Sequence, residues 1–173
     1  MLNQVRPKSV SRKSSGTKSS TIKSTAIKSN TVRPSAKPPY VLDEQVGFLM
    51  RVAMQRHTSI FMSEMTDKLT QTQFAALARL LEVGPCSQNH LGRLIYLDAA
   101  TIKGVVDRLK LRRLITTQGD PNDRRRRAIA LTEKGRQVAR AATECAAEIT
   151  ATTLMPLSSD EQETVVRLLK KLT

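Results

Sequence analysis

Catalytic raw material is scarce in this chain. Its 173 residues include two histidines and two cysteines, and the sequence carries no nucleophile elbow, phosphate-binding loop or metal-ligand spacing. Cys86 and Cys145 stand too far apart for a metal-binding knuckle. No apolar run is long enough to cross a bilayer, and Met1 does not lead into the basic-then-apolar stretch that directs secretion. These absences weigh against an enzyme, a bound metal or cofactor, and a membrane protein, and they predict a cytoplasmic protein with reduced thiols. Acid is missing from one region: Met1 to Pro39 holds nine Lys or Arg and no Asp or Glu.

What is present in quantity is positive charge, formally +14. Clustered Lys and Arg gain affinity for polyanions by releasing counterions condensed on phosphate. The first 39 residues account for nine of the 29 basic residues, so the remainder carries 20 basic against 15 acidic residues. A moderately basic body is still consistent with DNA binding, but the net charge overstates what the folded part contributes. Residues 1–39 are Ser, Thr, Lys and Pro with a loose repeat (Thr17-Lys18-Ser19, Ile22-Lys23-Ser24, Ile27-Lys28-Ser29). They are too polar to offset the entropy of ordering and are expected to form a disordered basic arm. Their composition also resembles that of a transit peptide, but the regular apolar face of such a peptide is missing. Residues 40–173 are expected to form one domain.

Beyond Pro39, Val41, Leu42, Val46, Leu49, Met50, Ala53, Met54, His57, Ile60, Phe61 and Met65 recur at helical spacing and predict a long helix over about Asp43 to Asp67. Thr70 followed by Gln73 reads as a capping box, opening a helix with Phe74, Leu77, Ala78 and Leu81 as its apolar side and Gly84-Pro85 as its stop. A short extended piece, Cys86-Ser87, leads to a two-turn helix from Gln88 to Ile95 and a turn at Tyr96-Leu97. Asp98 caps the next helix, Ala99 to Arg112, with Ile102, Val105, Val106, Leu109 and Leu111 as its predicted buried stripe. Leu114 to Gln118 and Ala128 to Leu131 read as two strands of a hairpin around a long charged loop. Thr132 caps a long helix that Pro156 ends, and Ser158 with Glu161 opens a last one.

A short helix, a tight turn and a second helix with small outward residues near its start is the layout that lets one helix enter the major groove. Ala99, Ala100 and Thr101 bear no bulky chain, so the backbone can approach base edges while Thr101 and Lys103 reach bases or phosphate. The basic hairpin follows at once. In its run Arg124-Arg125-Arg126-Arg127, strand alternation sends neighbours to opposite sides, leaving two to point outward. Arginine suits a narrow minor groove, and Asp123 can hold one such side chain in a bidentate ion pair, orienting rather than binding. A solvated charged face is the duller reading of the run.

At these residues the chain resembles the multiple antibiotic resistance regulator (MarR) family. Asp120-Pro121-Asn122-Asp123-Arg124-Arg125, followed by Leu131-Thr132-Glu133-Lys134-Gly135, looks like its wing and wing-to-helix signature, and Cys86 to Leu94 and Leu97 to Thr101 fit as well. The resemblance spans about Tyr40 to the C-terminus and leaves out the basic arm. It implies a mainly α fold with a small β-hairpin wing, a winged helix-turn-helix lobe over about 70–131. It also implies an obligate homodimer built from helices at about 43–67, 133–155 and 158–172. The implied partner is double-stranded DNA with a palindromic operator, met by Ser87, Gln88, Asn89, Ala99, Ala100, Thr101, Lys103, Arg108, Arg124, Arg125 and Arg126, with Asp123 orienting the wing.

Many members of that family are repressors released by small phenolic or aromatic acids, which implies an effector pocket between dimer scaffold and DNA lobe. Candidate residues are Met50, Met54, His57, Phe61, Phe74 and Arg93, apolar walls around a His or Arg able to meet a carboxylate. His57 also fits the plainer role of a satisfied core or interface residue, and methionines at helical spacing usually fill core gaps. Two other readings stay open: a thiol-based redox repressor using Cys86 or Cys145, and a non-specific architectural DNA- or RNA-binding protein driven by the arm.

Overall fold

The computed structural model describes residues 39–119 and 127–173. The arm up to residue 38 and the wing residues Asp123, Arg124, Arg125 and Arg126 therefore lie outside the described residues.

The long first helix divides in two. Leu42–Glu44 makes a single 3-10 turn, Gln45 is extended (φ −82°, ψ 125°), and α1 runs from Val46 to Glu64. The Gln45 side-chain Nε2 donates to the Val41 carbonyl at 2.9 Å and its backbone N–H to the Leu42 carbonyl at 3.0 Å, so this residue closes the turn rather than continuing a helix. At the far end α1 stops before Asp67 and Lys68, both left-handed (φ 54° and 48°). Met65 and Leu69, on either side of this joint, are buried.

The capping box expected at Thr70 is present: its hydroxyl accepts from the Gln73 N–H and the Gln73 side chain accepts from the Thr70 N–H. Helix α2 then covers Gln71–Val83 and ends at Gly84, whose φ of 76° suits a residue without Cβ. Its buried face is turned from the expected one. Gln73, Ala76, Leu77 and Leu80 are buried, while Phe74 and Leu81 pack half-exposed against the core and Ala78 lies at its edge. Helix α3 (Gln88–Leu94) and α4 (Ala99–Leu111) form the helix-turn-helix, with Tyr96 left-handed in the turn (φ 56°). The α4 stripe is Ile102, Val105, Val106 and Leu109. Leu111 is 83% exposed, so it does not extend the stripe: two residues beyond Leu109 in a helix of 3.6-residue period, it points about 200° away from the face Leu109 buries.

Strands β1 (Ile115–Gly119) and β2 (Arg127–Leu131) pair antiparallel, with Ile115 opposite Leu131 and Gly119 opposite Arg127. The extended piece at Cys86 joins their sheet: the Cys86 and Ile129 amides each donate to the other's carbonyl, at 3.1 and 2.8 Å. Helix α5 (Glu133–Leu154) runs back from the sheet, and α6 (Ser159–Leu169) follows Pro156. One apolar core fills the space under α2, α3, α4 and the hairpin, extended by Val138, Ala139, Ala142 and Ile149 of α5 and Phe61 of α1. This is a winged helix-turn-helix lobe continuous with two long helices, α1 and α5.

Candidate nucleic-acid interface and effector cleft

The outward face of α4 is built from its N-cap. The Asp98 carboxylate accepts from the Ala100 and Thr101 amides, both at 2.9 Å, and from the Thr101 hydroxyl at 2.6 Å. The Thr101 hydroxyl and amide are the main cause that holds the Asp98 carboxyl below the ordinary carboxylate range, so the cap stays ionised. Ala99, Ala100, Thr101, Lys103 and Arg108 are all exposed, on the side opposite Ile102, Val105 and Val106. One helical turn along, Lys103 donates to Asp107 at 2.7 Å, which raises the lysine and lowers the aspartate from their usual values. The pair directs the ammonium along the helix. This face combines a low profile at its N-terminal end with cations behind it, the shape and charge that a groove of duplex DNA accepts.

Helix α3 is capped by Ser87, whose hydroxyl accepts from the His90 N–H at 3.2 Å. Ser87 and Gln88 are half-buried and Asn89 is exposed. Arg127, where β2 begins, is exposed.

A second feature is a cleft of about 270 Å3 lined by Met54, His57 and Phe61 of α1, Gln71 and Phe74 of α2, and Ala146, Ile149 and Thr150 of α5. Phe61 stands between His57 and Phe74, with ring centroids 6.2 and 6.0 Å away. The His57 imidazole is held by α5: its Nδ1 lies 3.0 Å from the Thr153 hydroxyl. Arg56 donates to the carbonyls of Thr152 and Thr153. Four expected pocket residues thus meet in one place. Met50 does not line the cleft and is 50% exposed. Arg93 lies on α3, exposed and 3.5 Å from His90, and does not line it either. Nothing in the local pattern of Gln71, Ala146 and Thr150 sets them apart, and Ile149 reads only as one of the apolar residues of α5; all four line the cleft through the packing of α5 against α1 and α2.

Two polar links tie the joint between α1 and α2 to the rest of the lobe. Arg112, at the C-terminal cap of α4, donates to the Asp67 carbonyl at 2.7 Å with the Asp67 carboxylate 3.9 Å away. The Cys145 thiol of α5 donates to the Glu64 carbonyl at 3.1 Å. Cys86 is buried. Among the described residues no group of three His, Cys, Asp or Glu is gathered as for a metal ion, and no helix is long and apolar enough to cross a membrane.

Comparison with known proteins agrees with this geometry. The profile of the MarR family matches residues 67–126. The chain is 41% identical over 144 residues to the HTH-type transcriptional repressor NicR of Pseudomonas putida, covering 80% of this chain and 91% of that protein. The fold is similar to a probable transcriptional regulator from Pseudomonas aeruginosa, with 50% identity and a TM-score of 0.74 over 77% of this chain and 100% of that one. It is also similar to Bordetella bronchiseptica BpsR, described with a mechanism for regulation of its DNA binding by 6-hydroxynicotinic acid, at 39% identity and a TM-score of 0.73 over 78% and 97% of the two chains. With its helix-turn-helix, its hairpin and these relatives, the chain belongs to the MarR family of DNA-binding transcriptional regulators.

Proposed function

We propose that the protein is a homodimeric repressor that binds a near-palindromic operator and releases it when a small aromatic acid enters the α1–α2–α5 cleft. The observation that carries the DNA reading is the α4 face, where Ala99, Ala100 and Thr101 leave the helix start uncluttered and Lys103 and Arg108 stand exposed behind it. Two such helices related by a two-fold axis meet half-sites about 10 bp apart, one helical turn. Ser87, Gln88 and Asn89 contribute backbone-positioning contacts at the start of α3. From the wing, Arg124, Arg125 and Arg126 serve the DNA, those that alternate outward in the minor groove, with Asp123 orienting one of them.

Dimerisation is supported by apolar surface that the single chain leaves uncovered. Helix α6 has no buried residue yet carries Val165, Val166, Leu168 and Leu169. Val46 and Leu172 are each 70% exposed, and Leu49 is 51% exposed. Apolar surface of this extent is covered by a partner in a soluble protein.

The effector reading rests on the cleft's position between α2 of the DNA lobe and the long helices α1 and α5, and on the likeness to BpsR. A ligand there acts by favouring one lobe spacing over another. The redox alternative would use Cys86, which is buried, or Cys145, whose thiol donates to the Glu64 carbonyl.

Footprinting on the DNA flanking the gene tests the DNA reading: a single protected near-palindrome is expected, lost in Arg108→Ala. Arg125→Ala is expected to weaken binding by about 1–3 kcal/mol if its side chain sits in the minor groove. Deletion of residues 1–39 is expected to leave the protected site unchanged. Loss of most affinity in that deletion, with no discrete site, would instead identify an arm-driven, non-specific binder.

A further inference from the structure

The lining of the cleft limits what it can hold. At about 270 Å3 it lies just below the usual span of ligand pockets, roughly 300–1,000 Å3. That favours a single aromatic ring over a thioester of a large carrier. Its walls are Met54, Phe61, Phe74, Ala146 and Ile149, with Gln71 and Thr150 as neutral polar groups. Among the described residues, the lining contains no Lys or Arg, and His57 is its one titratable side chain. Arg93, the guanidinium that the sequence offered as a carboxylate partner, stands elsewhere on α3.

A carboxylate buried against aromatic and aliphatic walls needs a cation or it is expelled to water. Among the described residues of one protomer, the groups around His57 leave one source. From α2 come Gln71 and Phe74, and from α5 Ala146, Ile149, Thr150 and Thr153, none of which carries charge. On α1 itself, Arg56 spends its guanidinium on the Thr152 and Thr153 carbonyls. The imidazole has Nδ1 committed to Thr153 at 3.0 Å, which leaves Nε2 as the nitrogen available to a ligand. A neutral ring that donates from Nδ1 to Thr153 would turn a lone pair on Nε2 toward the anion, and one that accepts from the Thr153 hydroxyl would turn an uncharged N–H, which leaves the carboxylate without a counter-charge. The imidazolium turns a charged N–H.

We propose that the cleft takes a single-ring aromatic monoanion and that His57 becomes protonated as it binds, so that effector binding takes up a proton. The inference rests on the reading of this cleft as the effector site. The sign follows from linkage. A ligand that prefers the imidazolium raises the pKa of His57 in the complex. Affinity is then greatest below the titration of the free ring and falls as pH rises above it, by up to tenfold per unit. The regulator would thus release its operator more readily as the surroundings acidify, at a fixed concentration of the acid.

The experiment uses 6-hydroxynicotinic acid and its uncharged amide as probes with the full, untagged chain between about pH 6 and 8.5. Calorimetry is expected to show the acid weakening by up to about tenfold per pH unit across the upper part of that range, with the amide flat. Heats measured in phosphate and in Tris should differ by the uptake of about one proton. Because the chain has only two histidines, NMR titration of the imidazole protons gives a readout that needs no variant. One midpoint should rise by about one unit or more on saturation with the acid, and the other, from exposed His90, should stay. His57→Gln should remove both the pH slope and the moving resonance. Acid binding that is flat with pH, or two unmoved midpoints, overturns the role of His57 while leaving the aromatic-acid reading intact. Failure of the acid to bind at any pH overturns that reading and this inference together, and leaves operator binding untouched.

Discussion

Replacing Gly135 with alanine is expected to destabilise the protein severely, although alanine is the better helix former by about 1 kcal/mol. Gly135 lies in the first turn of α5, where the helix is laid directly on the backbone that enters β1. A Cβ there would sit 1.8 Å from the Leu114 carbonyl oxygen and 2.8 Å from its carbon. A carbon–oxygen contact relaxes at about 3.3 Å, so the start of α5 must withdraw by roughly 1.5 Å. That movement breaks the bonds holding the helix there: the Thr132 N–H to the Leu114 carbonyl at 3.0 Å, and the Thr132 hydroxyl shared between the Arg113 and Leu114 carbonyls at 2.8 and 3.2 Å. At about 1 kcal/mol each these amount to about 3 kcal/mol. Less the helix-propensity gain, a net loss of about 2 kcal/mol remains, and displaced packing around Leu114 adds about 1 more. In a domain of this size the thermal midpoint should fall by about 6–12 °C. Calorimetric or circular-dichroism melting at one fixed protein concentration measures it. Gly104→Ala is the contrast. Its new Cβ meets only the end of the Arg108 side chain, at 3.4 Å, so the same exchange should raise stability by about 0.5–1 kcal/mol. A Gly135→Ala protein as stable as its parent would show that the α5–β1 approach is looser than described.

Three further outcomes follow from other parts of the molecule. Ile102→Ala, in the fully buried stripe of α4, should cost about 2–5 kcal/mol in urea unfolding because it leaves a cavity; a cost under 1 kcal/mol would contradict the packing of the reading helix. Arg112→Ala removes the charged donor on the Asp67 carbonyl, and at a half-exposed site should cost about 1 kcal/mol of stability; faster amide exchange confined to residues 64–70 would identify the joint as the part released, and uniform exchange would argue against it. Asp98 is lowered by its Thr101 and Ala100 bonds, Asp107 by Lys103 and Glu161 by the Ser158 N–H and hydroxyl. A carboxylate with a depressed folded-state value contributes stability that is complete above its unfolded value and is lost as pH falls through the folded one. Melting temperature should therefore drop below about pH 4, and Asp98→Asn should make that drop shallower; an unchanged acid limb would refute the cap.

Features written in local pattern were legible in the sequence. Thr70 with Gln73, Asp98, Thr132, and Ser158 with Glu161 all mark helix starts, because a cap is a relation between residues two or three apart. The 3.6-residue period gave the α4 stripe through Leu109. Periodicity failed where a face is only partly covered: α2 turns Gln73 and Ala76 inward and leaves Phe74 at the edge of a cleft, an outcome set by α1 and α5 rather than by α2 itself. The α5 half of the cleft was invisible for the same reason, since Ala146, Ile149 and Thr150 read as an unremarkable helix. Arg93 illustrates the converse error: chemistry suited to a carboxylate says nothing about where a side chain stands. Gly135 is a mixed case, a residue whose presence in a familiar pattern was plain and whose cause, contact with the Leu114 backbone, is a matter of tertiary approach.

The segment between α1 and α2 has a bearing on operator choice. Met65 and Leu69 are sunk into the core on either side of two left-handed residues, and Arg112 grips the bend from the end of α4. Adding or deleting one residue there would exchange which side chains are sunk and swing the reading head against its support. Adjacent base pairs of B-form DNA differ by about 3.4 Å and roughly 36°, so a change of geometry at this bend amounts to a change of the half-site separation the molecule can span. In the homodimer proposed above, these five residues would set the spacing of the two reading heads, and variants at Asp67 or Lys68 are the ones to screen against operators lengthened or shortened by a single step.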